Sequence, residues 1–95
     1  MSDTSRRKEI MARTIGNILR TTRQRRGLSE AKAATAAGIR QPVLSRYERG
    51  LHLAPPHVIY ALARVLEVSP HDLMPAHIPE MDALLDQQKE GKPTP

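Results

Sequence analysis

Glycine and proline divide this sequence of 95 residues into segments of helix length. Residues 1–41 contain no proline, and all eight prolines lie further along the chain. Gly27, Gly38 and Gly50 each follow a segment that could form a helix, and glycine commonly ends helices. No segment alternates apolar and polar residues as a half-buried strand would. The sequence therefore predicts an all-α fold with one long early helix and shorter later ones.

Apolar spacing and capping residues place the predicted helices. Ser29 and Ser69 are good N-caps, and Pro42 and Pro70 suit the first turn of a helix. The predicted segments are 8–25, 30–37, 41–49, 56–66, a very short helix after Ser69, and 79–89. The last residues, 90–95, look disordered.

Size and composition exclude several classes of protein. A mass of 10.6 kDa suits one small domain, and the absence of cysteine excludes disulfides and thiolate zinc sites. No apolar run approaches the ~18 residues that span a bilayer, and no stretch resembles a signal peptide, so we expect a cytoplasmic protein without membrane partners. The four histidines do not have metal-ligand spacing, and no catalytic motif is present. We therefore expect no metal, no cofactor and no enzymatic activity.

Positive charge is concentrated in the first half of the chain. Residues 1–50 hold twelve Lys and Arg against four Asp and Glu, whereas residues 51–95 hold three against six. Arginine supplies eleven of the fifteen basic residues, and its guanidinium forks onto phosphate and guanine. This imbalance suggests a polyanionic partner, although a merely solubilising surface would look the same.

The region from Gly27 to Gly50 has the layout of a helix-turn-helix. A short helix ends at Gly38, and the next helix, 41–49, has two faces. One face carries Leu44, Tyr47 and Glu48. The other face has no large aliphatic side chain, so it could enter the major groove of DNA.

Many spaced residues resemble the phage-repressor (Cro/C1, or XRE) helix-turn-helix family. They are Ile15-Gly16, Leu19-Arg20, Arg23, Gly27-Leu28-Ser29, Ala34, Gly38-Ile39, Leu44 to Gly50, Leu62-Ala63, Leu66 and Val68-Ser69. The resemblance covers residues 15–74. It implies a compact five-helix, lambda-repressor-like domain whose third helix reads DNA, in most members as a two-fold dimer on a palindromic operator.

The resemblance also assigns roles to individual residues. It implies base contacts from Gln41, Pro42 and Arg46. Ser45 can hydrogen-bond to a base or a phosphate, and we count it among the expected base contacts. Chemically, Arg46 can fork onto guanine and Gln41 onto adenine. The expected phosphate contacts are Ser29, Arg40, Arg49 and His52. The resemblance further implies an internal ion pair between Arg23 and Glu48.

Two positions depart from the family pattern. Position 30 is typically Gln and reaches a phosphate, whereas Glu30 would be repelled by one, so the contact is absent or Glu30 turns aside. Position 33 is usually a large aliphatic residue, and Ala33 predicts a thinner core.

The predicted organisation has three parts: a basic N-terminal arm over 1–9, the DNA-binding domain over 10–74, and a partly disordered extension over 75–95. Within the extension, Met81, Leu84 and Leu85 could form a dimer contact, a toxin-binding segment or an extra helix packed on the domain itself. We predict a sequence-specific transcriptional regulator, acting as a dimeric repressor on double-stranded DNA. The alternatives are an antitoxin with a protein partner on 75–95, and a helical module that inhibits another regulator.

Overall fold

The computed structural model describes residues 3–90, with side chains over 4–87, and within this range it contains helices and no strands. The helices are α1 (Asp3–Arg25), α2 (Glu30–Ala37), α3 (Gln41–Glu48), α4 (Pro56–Leu66), α5 (Pro70–Leu73) and α6 (Pro79–Glu90). The prediction of an all-α fold is confirmed. The predicted starts of α2, α3 and α4 agree with the structure.

Local sequence explains where the short helices begin and end. The Ser29 hydroxyl accepts a hydrogen bond from the backbone N–H of Lys32 at 3.1 Å, which caps α2. Gly38 ends α2 in the left-handed conformation, with φ +74°, where a side chain would be strained. At α5, Ser69 and Asp72 form a reciprocal capping box. These caps mark the ends of α2 and the start of α5.

The main hydrophobic core lies between α1 and the helices that follow it. Its largest fully buried side chains are Ile15, Leu19, Leu44, Leu62, Leu66 and Leu73. Gly16 allows α1 to cross α3 closely, because a Cβ there would overlap the carbonyl oxygens of Tyr47 and Glu48. The space beside Ala33 has no room for a water molecule, so the core closes over this small side chain.

A second, smaller apolar cluster joins α6 to the first half of α1. Ile10, Ile78 and Leu84 are buried together, and Met81 packs at the edge. Leu85, in contrast, is exposed. Of the three interpretations of the C-terminal stripe, the structure contains the extra helix folded on the domain itself.

The first helix begins earlier than predicted. Helix α1 begins at Asp3 rather than at residue 8, so residues 3–9 are helical. The physical reason is that no glycine or proline interrupts this stretch and that Ile10 finds an apolar partner on α6. Residues 1, 2 and 91–95, including most of the predicted disordered tail, lie outside the described residues.

Candidate nucleic-acid interface

Helix α3 separates its buried and exposed side chains into two faces. Leu44 and Glu48 point into the domain, and each is less than 5% exposed. The other side of the helix carries Gln41, Pro42 and Arg46, all exposed, and the half-buried Ser45. We call these four residues the reading face. They are the residues for which base contacts were predicted, and the structure brings them together on one surface.

Cationic side chains flank the reading face on both sides. Arg40 precedes α3 in an extended conformation, and Arg49 follows its last turn. Both are exposed, as is His52 in the next loop. Over the described part of the chain, neither these two arginines nor Arg46 forms an ion pair. Their charges therefore remain available to an external anion.

Ser29 lies at the start of α2, where its hydroxyl oxygen already accepts the capping hydrogen bond. Its hydroxyl hydrogen remains able to donate to a phosphate oxygen. The N-terminal turn of a helix also favours an anion through its free backbone N–H groups. The capping role and the predicted phosphate contact are thus compatible.

One contact within the helix-turn-helix was not predicted from the sequence. The amide Nε2 of Gln41 donates a hydrogen bond to Glu30 Oε1 at 3.0 Å. Glu30 therefore does turn aside, toward the reading face. The sequence places both residues at the start of a helix. Whether their side chains come within hydrogen-bonding distance depends on the angle between α2 and α3, which the sequence does not give.

Arg23 and Glu48 meet beneath the reading face. Arg23 Nε donates to Glu48 Oε2 at 2.7 Å, and Arg23 Nη2 donates to Glu48 Oε1 at 2.9 Å. Arg23 Nη1 also donates to the carbonyl oxygen of Leu28 at 2.8 Å. The hydrogen bond to Glu48 is the main cause that raises the pKa of Arg23. These hydrogen bonds connect α1, the α1–α2 loop and α3.

Four large apolar side chains are exposed between α3 and α6. They are Leu51 and Leu53 in the loop after α3, Tyr60 on α4 and Met74 after α5, and the term apolar surface denotes these four side chains. Tyr60 and Met74, together with Ile59, line a groove of about 450 Å³ between α4 and α5. Large apolar patches on small proteins commonly mark interaction sites.

Other classes of site receive no support from the described residues. None of their His, Asp and Glu side chains are grouped so as to hold a metal ion. In the same part of the chain, no helix is both long and apolar enough to cross a bilayer.

Comparison with known proteins agrees with this geometry. A family model described as a helix-turn-helix domain matches residues 14–76, about two thirds of the chain. The chain belongs to the helix-turn-helix domain family. The resemblance to the phage-repressor proteins is thereby confirmed. No curated protein matches the sequence.

A solved structure supports the same conclusion for this helix-turn-helix protein. The restriction-modification controller protein C.AhdI from Aeromonas hydrophila is 28% identical in sequence and superposes with a TM-score of 0.65. The match covers 66% of this chain and 96% of that one. Together the two comparisons indicate a DNA-binding transcription regulator, in a family whose members are typically not enzymes.

Proposed function

We propose that this helix-turn-helix protein is a cytoplasmic, sequence-specific repressor that inserts α3 into the major groove of double-stranded DNA. The observation that carries the proposal is the reading face, an exposed polar surface between arginines that have no partner within the described chain. The major groove, ~12 Å wide, admits one α-helix and displays a distinct donor and acceptor pattern for each base pair.

The roles of the side chains follow from their chemistry. Arg46 carries two donors side by side and pairs with guanine O6 and N7, while Gln41 pairs with adenine. Ser45 offers a single hydroxyl, and Pro42 offers an apolar contact to a thymine methyl group. Arg40, Arg49, His52 and Ser29 bind the flanking phosphates, which sets the register of α3 in the groove.

We further propose that two copies associate through the apolar surface. A single helix of eight residues reads only a few base pairs, so one copy alone would discriminate poorly among genomic sites. Leu51 and Leu53 follow α3 directly, and a two-fold contact there would set two α3 helices side by side. Successive major grooves on one side of DNA are about 34 Å apart, so the two α3 helices would enter neighbouring grooves. Because the dimer has two-fold symmetry, its operator would be a palindrome.

Unbiased selection of bound oligonucleotides by the full chain tests this function. We expect an enriched palindrome whose half-sites are about one helical turn apart. Binding should also weaken by about 10³- to 10⁵-fold between 50 and 200 mM salt if six to ten phosphates are neutralised. Recovery of random sequences, or binding that does not respond to salt, would refute the proposal.

Sedimentation of the free protein tests the association separately. Tyr60→Asp places a charge on the apolar surface and should shift the chain toward monomer, while the reading face stays unchanged. Arg64→Ala, on the same helix, serves as the matched control and should leave the oligomeric state unchanged. A chain that stays monomeric at all concentrations and on DNA would contradict the dimer.

A further inference from the structure

The starts of α2 and α3 are joined by one side-chain contact, between Glu30 and Gln41. Glu30 is the first residue of α2, and Gln41 is the first residue of α3. A carboxylate accepts hydrogen bonds but has no hydrogen to donate. The reverse orientation of the Gln41 amide would therefore set two oxygens against each other. Glu30 thus decides which end of the amide faces it.

Glu30 is partly buried at the start of α2, and its contact with Gln41 lies at the surface. The pKa of Arg23 is raised first by its hydrogen bond to Glu48, and the negative charge of Glu30 is a further, smaller cause. The carboxylate of Glu30 thus lies within electrostatic range of the Arg23 guanidinium, and its Oε1 accepts the hydrogen bond from Gln41.

We propose that Glu30 is a specificity-determining positioning residue, which fixes the Gln41 amide so that Gln41 selects adenine over guanine at one base pair of the operator. This inference rests on the function proposed above and adds to it the identity of one base. Here a residue that touches no base sets the preference at that base.

The preference for adenine follows from the hydrogen-bonding atoms of the Gln41 amide that remain free to face the groove. With one Nε2 hydrogen held by Glu30, Gln41 presents its Oε1 and its second Nε2 hydrogen to the groove. Adenine offers the matching pair, a donor at N6 and an acceptor at N7. Guanine offers acceptors at both N7 and O6, so its O6 would meet the amide oxygen. Without Glu30 the amide could rotate and donate to guanine instead.

Base-by-base measurement of affinity on the selected operator tests the proposal with the full chain. The base pair read by Gln41 is the one whose preference Gln41→Ala abolishes. There, the wild-type protein should bind the adenine-bearing operator about 5- to 150-fold more tightly than the guanine-bearing one, the range of one bidentate contact. In Glu30→Ala this ratio should fall by at least about fivefold, the lower end of that range. The preference at the base pair read by Arg46 should stay unchanged.

Control variants separate the orientation of Gln41 from the charge of Glu30. Removing a negative charge strengthens binding to all sequences alike, so only the ratio of affinities is diagnostic. Lys32→Ala, also in the first turns of α2, should leave the ratio as it is. Glu30→Gln keeps an acceptor but adds a donor, so its ratio should lie between those of the wild type and Glu30→Ala. It also serves as the test variant should Glu30→Ala melt early.

The outcomes distinguish this proposal from the function on which it rests. An enriched operator together with an unchanged ratio in Glu30→Ala and Glu30→Gln would overturn the role of Glu30 alone. A guanine at the base pair read by Gln41 would also overturn it. A wild-type protein that enriches no sequence would overturn both proposals.

Discussion

One arginine–carboxylate pair ties α1 to α3 and another ties α1 to α6, and these pairs differ in burial and in geometry. In the Arg23–Glu48 pair the side chains are 12% and 2% exposed, and two nitrogens each meet one oxygen. In the Arg13–Glu80 pair they are 59% and 58% exposed, and one nitrogen reaches both oxygens. The first pair closes the helix-turn-helix unit, whereas the second attaches α6 to its outside.

The comparison shows that the same type of ion pair contributes differently to stability when it is buried and when it is exposed. A buried carboxylate without its partner is costly, whereas an exposed pair competes with water and contributes little. The apolar clusters follow the same division, because the main core ends at Leu73 and the second cluster needs Ile78 and Leu84. The main core therefore contains no described side chain from α6, and we expect the helix-turn-helix unit to fold without this helix.

The largest effect is expected from Glu48→Ala. The change leaves the Arg23 guanidinium without its carboxylate in the interior, so the free energy of unfolding should fall by about 3–5 kcal/mol. Urea denaturation measures this loss, and DNA affinity should fall with it because α3 is no longer held. Unchanged melting would show that the pair carries no stability.

Gly16→Ala tests the close crossing of α1 and α3. Alanine has the better helix propensity by about 1 kcal/mol, but its Cβ would overlap backbone oxygens that cannot move aside alone. We expect a net loss of about 1–3 kcal/mol in the free energy of unfolding. Gln24→Ala, at an exposed position of the same helix, is the control. A stabilised Gly16→Ala protein would mean that the helices do not cross this closely.

Truncation after Met74 removes α6 and tests whether the helix-turn-helix unit is complete. Ile10 loses its cover and Met11 loses part of its own, so the free energy of unfolding should fall by about 3 kcal/mol, on the scale of one fully buried aliphatic side chain. Helical content by circular dichroism and operator binding should persist. A truncated chain that does not fold would contradict the division into two regions. If operator binding persists while a protein partner is lost, the antitoxin alternative gains support.

Glu80→Ala should have the smallest effect. Exposed ion pairs contribute about 0.2–1 kcal/mol, and that contribution is screened by salt. The melting temperature of this variant should therefore lie slightly below that of the wild type at low salt, and the two temperatures should be equal at high salt. A loss as large as that of Glu48→Ala would remove the contrast between the two pairs.

Local signals in the sequence predicted much of the fold. Ser29 and Gly38 delimit α2 by chemistry that acts within a few residues, and Pro56 and the apolar stripe do the same for α4. The two faces of α3 were likewise readable from helical periodicity, because Leu44 and Glu48 share one side. The start of α1 was not predicted, since Ile10 packs against Ile78 just before α6 and Leu84 on α6, roughly seventy residues further along the chain.

The family resemblance was enough to predict which residues form the reading face. It was not enough to predict side-chain contacts between two helices. The resemblance gave the reading face, and the structure brings its residues together. The hydrogen bond between Glu30 and Gln41 joins residues eleven apart on different helices, so it depends on the geometry of the turn at Gly38. The apolar surface was missed because its residues come from a loop, α4 and the end of α5, which no single periodic pattern connects.

The most direct test of the central claim, that α3 reads DNA through Arg46, is the affinity of Arg46→Ala for the selected operator and its single-base variants. Arg64→Ala, an exposed arginine on α4, is the control. We expect Arg46→Ala to lose about 1–3 kcal/mol of binding free energy and its preference at one guanine, with thermal melting unchanged. An Arg46→Ala protein with the affinity and base preferences of the wild type would contradict the account.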